Sequence, residues 1–170
     1  MNILFVSLGC DKNLVDTEVM LGLLASRGHQ MVDSEEIADV IVINTCCFIH
    51  DAKEESIQTI LEMAEYKKAG SCKALIVTGC LAQRYKQEII DEIEEVDAVL
   101  GTTSYDKIVE AIDEALAGHT SVEMTDIDAL PLVESKRLVT TGGHFAYLKI
   151  AEGCDKHCTY CIIPKIRGNF

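Results

Sequence analysis

The 170-residue sequence has no long run of apolar residues, and no basic stretch followed by an apolar one begins at Met1. The first absence excludes a helix that spans a bilayer, which needs about 20 consecutive apolar residues. The second speaks against a secretory leader, so the expected compartment is the cytosol. Positive charge is also scarce: 15 Lys and Arg stand against 28 Asp and Glu, for a net charge of −13. The shortage is uneven, because residues 1–135 carry 9 basic and 26 acidic side chains whereas residues 136–170 carry 6 and 2. An acidic surface of that size repels phosphate backbones and attracts basic partners, which makes generic nucleic-acid binding a poor fit. A solvated acidic face that keeps the protein soluble would account for the same charge. Internal repeats and low-complexity tracts are missing as well. A chain of this length then holds one full domain with a sizeable core and a remnant of another.

Cysteine is plentiful. Eight residues in a reducing compartment point to metal ligands or redox thiols and not to a disulfide framework. Which of them cluster depends on the fold.

Short apolar runs alternate with amphipathic segments over the first 118 residues. Ile3 to Ser7, Val40 to Asn44 and Leu75 to Thr78 read as buried strands, each a compact β-branched run closed by a turn residue. Met31-Val32 and Ala98 to Leu100 are weaker ones. Ile57, Ile60, Leu61 and Ala64 recur at helical spacing, as do Ile108, Ile112, Ala115 and Leu116. Gly28, Gly70 and Gly118 are placed as helix stops and Ser104 as a start. Such alternation predicts an α/β domain over 1–118 with a doubly wound parallel sheet, flavodoxin-like or Rossmann-like. From 119 to 143 the helical period disappears and Thr, Ser, Asp and Pro131 take over, the composition of a linker. Residues 144–170 begin with Phe145 to Ile150, which reads as one more strand, and they are too few to bury a core of their own.

Cys10, Cys46 and Cys80 each follow one of the three stronger strands. In a parallel sheet all carboxyl ends open on one edge, so the loops carrying these residues converge on one crevice. Gly9 and Gly79 permit a sharp turn beside it. The helices that follow aim their amino ends at it, which favours thiolates and an anionic cluster. Three thiolates leave one iron of a cube open, whereas structural zinc takes four protein ligands. Buried cysteine as mere core filler is the bland alternative. That reading is assigned to Cys47, which points away from Cys46 along an extended segment, and to Cys72, which precedes its strand at the opposite sheet edge.

A second set, Cys154, Cys158 and Cys161, lies in the loop Cys-Asp-Lys-His-Cys-Thr-Tyr-Cys. This C-x3-C-x2-C spacing lets one loop wrap a corner of a 4Fe-4S cluster with three ligands. A zinc knuckle is the alternative, but no fourth cysteine follows at zinc spacing, and His157 inside the loop reads as a solvated residue. The motif resembles the signature of the radical S-adenosylmethionine superfamily. By that resemblance the open iron chelates S-adenosylmethionine, a 5'-deoxyadenosyl radical is released, and Tyr160 lies against the adenine.

Two such sites in this order resemble the methylthiotransferase family of radical S-adenosylmethionine enzymes across the whole chain. Ser7-Leu8-Gly9-Cys10-Asp11-Lys12-Asn13-Leu14-Val15-Asp16, Asn44-Thr45-Cys46 with Phe48-Ile49 and Ala52-Lys53-Glu54-Glu55-Ser56, and Thr78-Gly79-Cys80-Leu81-Ala82-Gln83-Arg84-Tyr85 are closest to one branch. That branch modifies an aspartate of the small-subunit ribosomal protein S-twelve. The transfer-RNA branch usually has Gln-Met-Asn where this chain has Asp11-Lys12-Asn13. Cys47 stands where the family usually has glycine, and the family continues through a complete barrel and a C-terminal TRAM domain. The resemblance implies two 4Fe-4S clusters, one on Cys10, Cys46 and Cys80 and one on Cys154, Cys158 and Cys161. It also implies S-adenosylmethionine, a reductant such as flavodoxin, and methylthiolation of an aspartate β-carbon. The first cluster would carry the sulfur, and the fragment alone is expected to be inactive.

Methylthiolation of an adenosine in transfer RNA is the competing enzymatic reading. A non-catalytic electron-transfer module is the competing reading of another class. The latter would favour flavin, yet the first βα loop offers Cys10 and Asp11 and not the Ser, Thr and Gly that cradle a phosphate.

Overall fold

A computed structural model describes residues 1–129 and 137–170. Its elements are β1 (Asn2–Ser7), α1 (Asp11–Ser26), β2 (Gln30–Val32), β3 (Val40–Thr45), α2 (His50–Lys68), β4 (Ala74–Gly79), α3 (Cys80–Glu92), β5 (Ala98–Leu100), α4 (Ile108–Leu116), β6 (Ser121–Glu123) and α5 (Ile163–Arg167). The six strands form one sheet in the order β2-β1-β3-β4-β5-β6. Every neighbouring pair is parallel. The first five strands follow the flavodoxin-like order, in which the chain switches direction between β1 and β3. The expected α/β doubly wound architecture is the one observed.

Both faces of the sheet are covered, which is why its central strands read as unbroken apolar runs. Every residue of β3 and of β4 is buried. Successive side chains point to opposite faces, so Ile41, Ile43, Leu75 and Val77 pack with Ile60 and Met63 of α2 and Ile89 of α3. Val40, Val42 and Ile76 pack on the other side with Met20 and Leu24 of α1 and Ile108 and Ile112 of α4. Full burial of each such side chain contributes about 1.5–3 kcal/mol before the entropy of ordering is subtracted. Gly28, Gly70 and Gly118 follow α1, α2 and α4 at positive φ, as helix stops do.

Four readings need revision. Leu61, expected on the apolar stripe of α2, is 45% exposed, and only Ile60 and Ala64 of that set are fully buried. Ser104 precedes a short 3-10 turn, Tyr105–Lys107, and α4 begins after it. Its hydroxyl caps no helix and instead accepts the Thr125 N–H at 2.8 Å. Within the expected linker, Ser121–Glu123 pair with β5 as an edge strand, and Pro131 lies outside the described residues.

The fourth concerns Phe145 to Ile150, which forms no ladder with any described strand. Its alternation is inverted: Leu148 and Ile150 are 81% and 82% exposed, while Lys149 turns inward onto Asp16 of α1 and Glu152. Pairing two buried carboxylates outweighs burying two aliphatic side chains there, because an unpaired buried charge costs more than an exposed Leu. Residues 137–170 nevertheless pack on the sheet domain. Ile166 of α5 is buried in its core, and its carbonyl accepts the Thr102 hydroxyl at 2.7 Å.

Candidate metal centre

Cys10 ends the turn after β1 and is the N-cap residue of α1. Cys46 directly follows β3, and Cys80 opens α3 directly after β4. The three positions flank the switch point at the carboxyl edge of the sheet, where ligands of such folds bind. Two glycines make the approach possible. Gly9 has φ of +92°, and a Cβ there would lie 2.7 Å from the Cys46 Cβ. Gly79 has φ of +93°, and a Cβ there would lie 2.3 Å from Asn44 Oδ1 and 2.6 Å from the Thr45 carbonyl. No other residue takes that backbone conformation at that distance without displacing the neighbouring strand.

Polar side chains around the edge lock the loops. Asn13 donates from Nδ2 to the carbonyls of Leu8 and Thr45, both at 2.9 Å, tying α1 to the ends of β1 and β3. Asn44 donates to the Asn13 carbonyl at 2.8 Å and to Thr17 Oγ1 at 3.0 Å. Ser56 of α2 accepts the Cys46 N–H at 2.9 Å and donates to the Cys46 carbonyl at 2.8 Å. These buried groups had no signal of their own in the sequence beyond standing beside the cysteines.

Cys10, Cys46 and Cys80 line one cavity of about 610 Å³, together with Cys154, Phe48, Ile49 and Arg167. Cys158, Cys161 and Tyr160 line a neighbouring cavity of about 620 Å³. Phe48 and Ile49 face both and form the wall between them. The first three cysteines are thus brought together, while the C-x3-C-x2-C set is divided, Cys154 on one side of that wall and its two companions on the other. Within the loop, Cys161 N–H donates to the Cys158 carbonyl at 3.0 Å, and His157 turns the chain at φ of +47°. Tyr160 is 89% exposed.

Cys47 and Cys72 stand apart. The Cys47 thiol donates to the Cys80 carbonyl at 3.2 Å within the apolar core, and the Cys72 thiol to the Ala74 carbonyl at 3.1 Å. Burial raises the pKa of both thiols.

Three thiols lining one cavity are a donor set that an iron-sulfur cluster could take. Among the described residues no three cysteine sulfurs lie within 4.8 Å of one another. Tetrahedral zinc, with Zn–S near 2.3 Å, requires sulfurs about 3.8 Å apart. A cube takes each thiolate on a different iron and so spaces its ligands more widely. Burial pushes the Cys80 thiol up to about 11, opposed by the Arg167 guanidinium and reinforced by Cys46 and Cys47. Binding a metal ion would have to displace that proton.

Residues 2–101 match the family described as Uncharacterized protein family UPF0004. The chain belongs to this family. All of the cysteines at the carboxyl edge of the UPF0004 sheet lie inside the matched span, and the C-x3-C-x2-C loop lies outside it.

Similar curated proteins extend the comparison over the rest of the chain. It is 68% identical to a protein of Lachnoclostridium phytofermentans over 170 residues, all of this chain and 39% of that protein. It is 54% identical to one of Desulforamulus reducens over 168 residues, 97% of this chain and 37% of that protein. It is 51% identical to one of Clostridioides difficile over 164 residues, 96% of this chain and 37% of that protein. Each carries the name ribosomal protein uS12 methylthiotransferase RimO. The UPF0004 chain therefore spans about two fifths of the length of the relatives it matches, and its resemblance to the methylthiotransferases is borne out. Among the described residues no helix is long and apolar enough to cross a membrane.

Proposed function

We propose that this chain is the amino-terminal part of a cytosolic methylthiotransferase that modifies an aspartate β-carbon of ribosomal protein uS12. The convergence of Cys10, Cys46 and Cys80 on one cavity at the carboxyl edge of the sheet, with Cys154 in the same wall, supports the reading most directly. The relatives' shared name supports the substrate. Residues 1–118 would form the cluster-binding domain, with β6 extending its sheet into the linker 119–143, and 144–170 would open the radical domain.

Replacing an unactivated C–H bond by C–S lies beyond side-chain acid–base chemistry at neutral pH. Two 4Fe-4S clusters and S-adenosylmethionine, when bound, would supply the hydrogen abstraction, the electron from a reductant such as flavodoxin, and the sulfur. The chain's own residues have simpler tasks. Cys10, Cys46 and Cys80 would hold one cluster, and Cys154, Cys158 and Cys161 would hold the other. Tyr160 offers its exposed ring to the adenine. Phe48 and Ile49 line both sites and stand between them. The acidic surface of residues 1–135 attracts a basic ribosomal protein and repels the phosphates of RNA.

Mass spectrometry of a strain lacking the gene tests the substrate. A methylthio mark lost from ribosomal protein uS12 is the expected result. A mark lost from transfer RNA with the ribosomal protein unchanged would overturn it.

A further inference from the structure

Arg167 closes α5, downstream of the second cysteine motif, yet it belongs spatially to the first site. It is 2% exposed and lines the cavity shared by Cys10, Cys46 and Cys80. Its Nη1 donates to Asp16 Oδ2 at 2.7 Å and to Glu152 Oε2 at 3.1 Å. Its Nη2 donates to Asn13 Oδ1 at 2.6 Å, and that same oxygen lies 3.8 Å from the Cys80 Sγ. Lys149 pairs with the same two carboxylates and stacks over the Tyr105 ring at 4.8 Å. The other charged groups in the cavity wall are Asp11 and Lys12, and the Lys12 ammonium donates to the Glu152 carbonyl at 2.6 Å.

A salt bridge that only docked α5 on α1 would need Asp16 and Glu152. It would not need the guanidinium to reach past them, through Asn13, to the sulfur of Cys80. Burial alone would favour a neutral side chain, but the carboxylates of Asp16 and Glu152 hold the charge on Arg167. The result is a fixed positive charge in a poorly solvated wall, beside a set of thiols that suits an anionic cluster. Such a charge favours whichever redox state of the cluster is more negative, because the field is little screened there.

We propose that Arg167 is a positioning residue for the first site, a guanidinium delivered by the segment after the second cysteine motif that raises the reduction potential of a cluster held by Cys10, Cys46 and Cys80. The assignment rests on the cluster reading above. It also ties the two sites together, since the first acquires its full charge environment only when residues 163–167 are docked.

The test is a reductive titration followed by electron paramagnetic resonance in the full-length protein, with Cys154, Cys158 and Cys161 all replaced by Ala so that only the first site holds iron. Arg167→Met removes the positive charge and is expected to shift the potential negative. Asp16→Asn removes a counter-charge, leaves Arg167 in place, and is expected to shift it positive. Arg167→Lys keeps the charge and should stay near the parent. Opposite shifts separate electrostatics from loosened packing, which would move the first two variants the same way. Shifts of the same sign, or none, would overturn the proposal, and should Arg167→Met fail to fold, the sign for Asp16→Asn decides alone. Iron missing from the first site of the parent itself would remove the cluster reading, and the proposal with it.

Discussion

Arg167 and Asn13 meet at 2.6 Å across 154 positions of sequence, joining the last helix to the first turn of α1. Asn13 is fully buried and is the hub of the carboxyl edge, because its amide also holds the Leu8 and Thr45 carbonyls. Asn13→Ala would leave those two carbonyls and one guanidinium nitrogen without partners. A loss of roughly 2–4 kcal/mol is expected from unsatisfied buried groups of this kind. The midpoint of urea unfolding should fall accordingly, and an unchanged midpoint would mean that water replaces the amide without cost.

The cysteines divide into two classes by position. Cys10→Ala, Cys46→Ala and Cys80→Ala should each lower the iron bound after anaerobic reconstitution. Cys47→Ala and Cys72→Ala should not, because neither residue lines the cavity and each thiol is engaged by a backbone carbonyl. Equal iron in all five variants would refute the first site.

Glycine 79 and glycine 28 both have positive φ, +93° and +80°, but only the former is crowded. An added methyl at Gly28 meets nothing within 4 Å, whereas at Gly79 it meets Asn44 and the Thr45 backbone. Gly28→Ala should cost about 1 kcal/mol, the backbone strain alone, and Gly79→Ala distinctly more, with overlap added to about 1–3 kcal/mol of strain. Thermal denaturation of the pair measures the difference.

Acid should weaken the strap formed by residues 137–140. Burial by itself would raise the Glu18 pKa, but the Thr140 N–H at 2.6 Å, the Thr140 hydroxyl at 2.9 Å and Arg137 hold it below the usual glutamate value. A carboxyl whose pKa is lower folded than unfolded contributes its stability in full above the unfolded value. That contribution is lost as pH falls through the folded one. The native protein should therefore exceed Glu18→Gln in melting temperature near neutrality, and the gap should close in acid. A gap independent of pH would assign the effect to shape and not to charge.

The central strands and the three edge cysteines were legible because a strand buried on both faces is apolar along its body, as Val40 to Ile43 of β3 and Ala74 to Val77 of β4 are, with the cysteines just past their polar ends. Other features were hidden for identifiable reasons. Strand β6 is a polar edge strand, Ser-Val-Glu, held by backbone bonds to β5 and carrying no apolar run to betray it. The stretch Phe145 to Ile150 has strand composition, yet its placement follows Lys149, whose acidic partners on α1 and at Glu152 cannot be paired by periodicity. Arg167 belongs to the same class. A buried charge network among residues 13, 16, 149, 152 and 167 follows from docking, which local pattern does not encode.

The sheet tapers from six residues in β3 and β4 to three at each rim, in β2 and β6. A visiting chain seeking an open edge would find room for few backbone bonds at either margin, and Glu123 stands on one of them. Lateral growth into aggregates is thereby discouraged by geometry. Crowding many copies of this thiol-rich protein should join them, when they join at all, by some route other than strand addition.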